Sequence, residues 1–437
     1  MNIFISLVEI YRKYFSQFFL FRLLREIVVL GYRFLYRSLI ILKNKRKIKK
    51  LLLKSIDDII KILQIHFTNI NDGELISISS PKCFKDGQLS FNSTAKLDIE
   101  ISPIKILELY GAVAISGTDF TIYDNFAVHH NLFTLDNGSC KAELIGLCKI
   151  NRQKKLIYFY LNNKILNIDE GIVFFGQNTK NYAHWLVETL PKLAILNKCN
   201  KYRKLPIIVE DDLHKNMYES IEVLNHTGHE IIKIKRWTQV NLKKAVLLSN
   251  SGFEPYMPQD LFNRINYQYQ NQFSYYAFNT LRQALWALVP KVAVLKPNIY
   301  LARDRKSINL RNIINFMDVE SFFHSCDFYQ VSPGDLNFLD QVILSKNARF
   351  IAGPIGAGLV NMIFAKPGCK ILAMSPDNEV ANYNFYNNLA SVLGHELYFV
   401  LGRTFNKKIH PVHRNYKILI DDLKTVLGLL NFDNFSN

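Results

Sequence analysis

The stretch RFIAGPIGAGLVNMIFAKPG (349–368) reads as a strand running into a loop of small residues, Gly353-Pro354-Ile355-Gly356-Ala357-Gly358, and on into a helix from about 357. Around it the chain alternates. Upstream lie a strand at 298–303, a helix at 316–325, a strand at 328–331 and a helix at 336–347. Downstream lie a strand at 370–374, a helix at 380–393, a strand at 396–402 and a helix at 421–430 capped by Asp421. Such alternation predicts a parallel, doubly wound sheet. An earlier series begins at 171, with strands at 171–176, 205–210, 230–235 and 245–249, helices over 181–197 and near 216–225, and a long helical stretch at about 258–288. Pro290 and Pro297 break the chain between the two series, because proline neither donates to a ladder nor continues a helix. Residues 75–170 are rich in strand and loop patterns, such as IKILELYGAVAIS (104–116). The expected fold class is α/β, with two Rossmann-like domains facing a cleft. Residues 51–290 would form one, with a strand-rich lead-in, and residues 291–437 the other.

Three constellations could carry chemistry. Gly356, Ala357 and Gly358 leave backbone amides open to an anion at a helix start, where a pyrophosphate would sit well. The spacing is not G-x-G-x-x-G, and the same glycines could serve only close strand–helix packing. In YLARDRKSINLRNIIN (300–315), Arg303, Arg305, Lys306 and Arg311 follow the C-terminal end of a strand. That edge of an open α/β sheet is where ligands bind, and cations there can neutralise a diphosphate leaving group. In NTKNYAHWLVETLPKLAIL (178–196), His184 and Glu188 share one helix face near its start, as a general base and its partner would. A capping histidine beside a surface glutamate would give the same spacing. His226-x-x-His229 and His410-x-x-His413 lack a third ligand nearby, so no metal site is expected. Neither a G-x-S-x-G elbow, a P-loop nor H-E-x-x-H occurs.

Composition narrows the setting. Six scattered cysteines without a C-x-x-C pair suit reduced thiols in the cytoplasm rather than a disulfide framework. Of the net charge of +17, +10 falls within residues 1–50, among Phe, Leu, Ile and Tyr. Charges at Arg22, Arg25 and Glu26 interrupt the apolar run, so a spanning helix is disfavoured. Two amphipathic segments ending in the basic KNKRKIKK (43–50) fit an arm lying on an anionic membrane surface. Because the excess charge sits mostly in this arm rather than on the α/β body, nucleic acid is not the expected partner.

NYAHWLVETLPKL (181–193), the R-x-I-I-N-x-x-D-V pattern at Arg311, Asn315, Asp318 and Val319, and FYQVSPGDLNFLDQVILSKNARFIAGPIGAGLVNMIFAKPG (328–368) together resemble glycosyltransferase family 61, over roughly residues 105–430. The resemblance implies a GT-B fold, an inverting transfer from a nucleotide-sugar that is usually UDP-linked, and no obligatory metal or other cofactor. Matching positions include Asn181, His184, Glu188, Arg303, Arg311, Asn315, Gln341, Gly356, Ala357, Gly358 and Asn361. Two positions depart from the family pattern: Ile355 where His often precedes Gly-Ala-Gly, and Phe316 where Glu often follows the Asn. The expected protein is a cytoplasmic glycosyltransferase, peripheral to the inner face of the membrane, in surface-polysaccharide synthesis. Arg303, Arg311, Asn315, Gly356–Gly358 and Asn361 would bind the donor. Glu188, with His184 as second candidate, would act as base toward a glycan or lipid-linked acceptor. The rival is a catalytically silent relative scaffolding a polysaccharide-assembly complex, for which Ile355 and Phe316 speak. Deleting residues 1–50 is expected to release the protein from anionic vesicles with its body folded; a deletion that is insoluble or unfolded makes the arm part of the core.

Overall fold

The computed structural model describes residues 48–90, 96–130, 140–144, 146–161, 165–254, 271–290, 296–303, 311–378, 383–405 and 414–432. Two compact units emerge: one takes 98–288 with the described part of 33–76, the other 77–97 with 289–437. The sequence reading kept 51–290 together, so the excursion 77–97 is a correction. Its strand Lys82–Lys85 runs parallel to Glu396–Thr404 and turns back through Asp86 and Gly87 into Gln88–Ser90. Both turn residues have left-handed backbones, as a two-residue hairpin loop requires. The turn's amides are held by Asp422, at 2.9 Å from Asp86 N and 2.9 Å from Gly87 N.

The second unit carries a sheet whose core strands are Asn298–Leu301, Tyr329–Val331, Phe350–Pro354, Lys370–Pro376 and Glu396–Thr404, each parallel to its neighbour. Numbered along the chain, they lie in the order 2-1-3-4-5, a doubly wound pattern with its reversal between the first and third strands. The runs NIYL, FIAGP and nearly all of KILAMSP are buried, as expected of strands covered on both faces. Tyr300 stacks on Phe323 at 4.6 Å, within an apolar core that includes Val319, Met374, Val400, Tyr416, Leu423 and Phe432. The final helix, Ile420–Leu429, is not capped by Asp421: Leu419 is its N-cap residue and Asp421 lies in the first turn.

The first unit holds a mixed sheet. Gln239–Leu248, Ile165–Val173, Ile207–Glu210 and Ile231–Ile234 are parallel neighbours in that order. Lys105–Ile115 joins antiparallel to Gln239–Leu248, followed by Thr121–Tyr123 and Phe126–His129. The strands between 105 and 160 of the strand-rich lead-in thus extend the same sheet, while Glu74–Ser79 and Lys96–Ile101 form a separate two-stranded sheet. Ile48–Ser55 also belongs to the mixed sheet, paired with Leu156–Tyr160 and Phe126–His129. Ile48, Lys49 and Lys50 are therefore sheet residues, and the deletion that isolates the arm ends at 47, not 50. Residues 1–47 themselves lie outside the described residues, as do Arg305, Lys306, His410 and most of the helical stretch expected at 258–288, of which Tyr275–Leu288 is described and helical. Among the described residues no helix is long and apolar enough to cross a membrane.

One glycine fixes the sheet where its order reverses. A Cβ on Gly353 would stand 2.9 Å from the Leu301 Cβ and 3.0 Å from the Leu301 carbonyl. Gly353→Ala is expected to destabilise the protein by about 1–3 kcal/mol through overpacking, read as a lower urea midpoint with an unchanged slope.

Candidate functional site

In the second unit the two loops leaving the reversal point come out side by side. Arg303 follows the strand Asn298–Leu301, and its Nη1 reaches the Ile355 carbonyl at 3.5 Å. Gly356 is extended, and its missing side chain would meet nothing nearer than that guanidinium, at 3.8 Å. Gly358 differs: a Cβ there would press on Pro333 Cγ at 3.0 Å, so this glycine serves packing. The helix expected from 357 is the tighter 3₁₀ form over Ala357–Phe364.

Arg311 is brought to the same place. Ile314 N donates to Tyr416 O and Tyr416 N to Asn312 O, zipping 312–314 onto the chain near 416. Asn315 completes this ladder with its side chain, donating to Ile418 O at 2.9 Å and accepting from Ile418 N at 3.1 Å. Its carboxamide acts as a peptide bond would, which makes it a positioning group. Arg303 and Arg311 both act on the Tyr416 hydroxyl, which burial keeps protonated far above neutral pH while the two guanidiniums oppose that shift. The Arg311 Nε is buried with no hydrogen-bond partner among the described residues, an uncommon state for such a group. Asn361 lies behind the loop, donating to Gln341 Oε1 at 2.8 Å. Ile355 is buried, with its N–H on Met374 O, and Phe316 packs against the unit's core.

In the first unit, Asn181 caps the short helix Tyr182–His184, which widens into a π-helical turn, Trp185–Thr189, before Leu190–Leu196 continues. Such π turns are frequent at functional sites. His184 Nδ1 donates to Glu188 Oε1 at 2.8 Å, and its Nε2 faces Glu254 Oε2 at 3.4 Å. The Glu254 N–H also donates to Glu188 Oε1, at 3.1 Å. Glu188 is 6% exposed, so it is no surface glutamate. Burial alone would lower the His184 pKa, but Glu188, Glu254 and Asp119 outweigh it and hold it at about 9.

The sequence reading missed the charges around this pair. Burial and Glu188 push Asp119 up to about 7, and burial draws Lys192 down to about 8 against the pull of Asp119, Glu188 and Glu210. Glu210, 0% exposed, accepts from Gly117 N at 2.8 Å, Gly176 N at 3.2 Å and Thr179 Oγ1 at 3.0 Å, with Arg236 Nη1 at 3.9 Å. The i, i+4 spacing of Lys192 after Glu188 was visible in the sequence; Asp119 and Glu210 come from distant strand ends. Elsewhere, His229 spends Nδ1 on the Leu205 carbonyl at 2.8 Å.

Because the folded pKa of His184 is raised, its ion pairs contribute stability that is fully present below the ordinary pKa of 6.5 and lost as pH rises through about 9. The stability difference between the parent and His184→Gln is therefore expected to shrink between those two pH values in denaturant titrations; a constant difference contradicts the ion-pair assignment.

Residues 182–372 match the family model described as Glycosyltransferase 61. No curated protein matches the chain. The matched span begins with the helix carrying His184 and Glu188, takes in Arg303, Arg311, Asn315 and Asn361 with the glycine loop, and ends in the strand after it. That match takes in the segments that hold both sites, and over those residues it supports a glycosyltransferase of family 61.

Proposed function

We propose that the protein transfers a sugar from a nucleotide-sugar, expected to be UDP-linked, to a glycan or lipid-linked acceptor with inversion at the anomeric carbon. The second unit takes the donor and the first supplies the base, the division of labour of a GT-B enzyme. The observation that carries this reading is Arg303 beside Gly356, with Arg311 acting on the same Tyr416 hydroxyl as Arg303 and a buried Arg311 Nε that no described residue satisfies. Two guanidiniums and open backbone amides are what a leaving diphosphate needs. Asn315 and Asn361 then hold the loops that present them.

In the reaction the acceptor oxygen attacks the anomeric carbon, the bond to the diphosphate oxygen breaks, and the acceptor proton passes to Glu188. His184 is poorly suited as base, since a pKa near 9 keeps it protonated at neutral pH. As an imidazolium it steadies the Glu188 carboxylate through the 2.8 Å hydrogen bond. The basic, aromatic composition of residues 1–50 supports work at an anionic membrane surface, which this reading takes to be the cytoplasmic face. The silent-scaffold reading keeps Ile355 and Phe316 as its support: both are absorbed into apolar packing and offer no polar group to a donor.

Arg303→Ala is expected to weaken UDP binding roughly ten- to a hundred-fold, the loss of a charge-assisted contact worth about 1.5–3 kcal/mol. Unchanged affinity puts the donor elsewhere. Glu188→Gln is expected to bind UDP as the parent does and lose transfer by about a hundred-fold or more. If the parent binds UDP yet neither transfers nor hydrolyses any UDP-sugar, the scaffold reading prevails.

A further inference from the structure

The buried cluster of the first unit contains two groups that the proposed reaction leaves unused. Lys192 stands four residues past Glu188, as Glu188 stands four past His184. Cation, anion and cation thus follow one another along Tyr182–Leu196. Asp119 approaches from the turn after Lys105–Ile115. Its Oδ1 would lie 3.3 Å from a Cβ on Gly176, and the backbone N–H of Gln177 donates to its carboxylate. Asp119 and Lys192 line one cavity of about 50 Å³, together with His129, His130, Thr118 and Asn250.

The charges facing Asp119 come from every neighbouring element. His184, Glu188 and Lys192 belong to the helical stretch, and Glu210 to a strand end, where Arg236 answers it. Glu254 closes on His184 from beyond Gly252–Phe253. His129 and His130 carry no charge near neutral pH, because burial holds both below their ordinary pKa. Glu188 therefore lies among cations at His184 and Lys192 and anions at Asp119 and Glu254, whose effects on it oppose each other. A neighbouring anion makes a carboxylate hold a proton more firmly, and a neighbouring cation makes it hold the proton less firmly. Away from bulk water both effects are strong.

We propose that Asp119 and Lys192 are positioning residues for the sugar transfer, one anionic and one cationic, whose balance sets how readily Glu188 takes the acceptor's proton. The assignment rests on Glu188 as the base. Asp119 strengthens that base by repulsion, while Lys192 opposes the protonation of Asp119 and offsets its repulsion at Glu188. Both therefore act through Glu188 and need not touch substrate.

The test is the pH profile of kcat for the full-length parent, Asp119→Asn, Lys192→Met and Lys192→Arg, with UDP affinity measured on each. In Asp119→Asn the acidic limb is expected to move to lower pH, by about one to three units. The plateau should fall as well, since a weaker base transfers the proton more slowly. In Lys192→Met the limb is expected to move to higher pH, and in Lys192→Arg to stay near the parent's. UDP affinity should remain within about twofold throughout. Opposite displacements are something a merely structural pair would not give. Limbs that move together, or stay in place in variants that fold and bind UDP, overturn the proposal. Should Lys192→Met fail to fold, Asp119→Asn decides, and an unmoved limb overturns it. Glu188→Gln run alongside separates two failures: full transfer in that variant removes the base assignment and this proposal with it, whereas lost transfer with unmoved limbs removes only the roles of Asp119 and Lys192.

Discussion

Where the strand order of a parallel sheet reverses, the connections on either side leave in opposite directions and a crevice remains between them. In the second unit this happens between Asn298–Leu301 and Phe350–Pro354, drawn together by the bare face of Gly353 on Leu301. Two consequences follow from that contact. Arg303 and the loop at Ile355–Gly356 emerge beside each other, and the guanidinium secures the loop through the Ile355 carbonyl. The segment carrying Arg311 is then pinned by the Asn315–Ile418 pairing, which adds a second cation to the first.

The first unit obeys a different constraint. Burying carboxylates is tolerated only where cations and hydrogen-bond donors accompany them. Glu210 meets this fully, with two backbone amides, a hydroxyl and Arg236 around it. Glu188 and Asp119 meet it through His184 and Lys192, groups that themselves titrate within reach of neutral pH. A cluster of that kind is costly as mere scaffolding and well suited to moving a proton. The π-helical turn at Trp185–Thr189 is the local departure from regular helix that lies between these side chains.

Local patterns were legible in the sequence; distant partnerships were not. The strand NIYL, the glycine loop and the pairing of His184 with Glu188 all follow from short-range periodicity, spacing and small residues. Asp86-Gly87 announces a hairpin, yet nothing nearby tells that this hairpin joins a sheet some 300 residues on, held by Asp422. Asn315 matched the family as a donor-site residue, but its amide is spent on Ile418, a partner that no spacing rule predicts. Asp119 and Glu210 were invisible for the same reason, since each becomes unusual only through what folding packs against it. Lys192 was missed despite its helical register, because a lysine one turn from a glutamate ordinarily marks a solvated face.

The location of the donor carries the account, and hydrogen–deuterium exchange of the full chain with and without UDP tests it most directly. Slower exchange in the presence of UDP at 302–303 and 355–358 is the predicted result, since amides that hold a diphosphate open less often. Protection confined to other segments while UDP is bound, or no binding of any nucleotide, would contradict it.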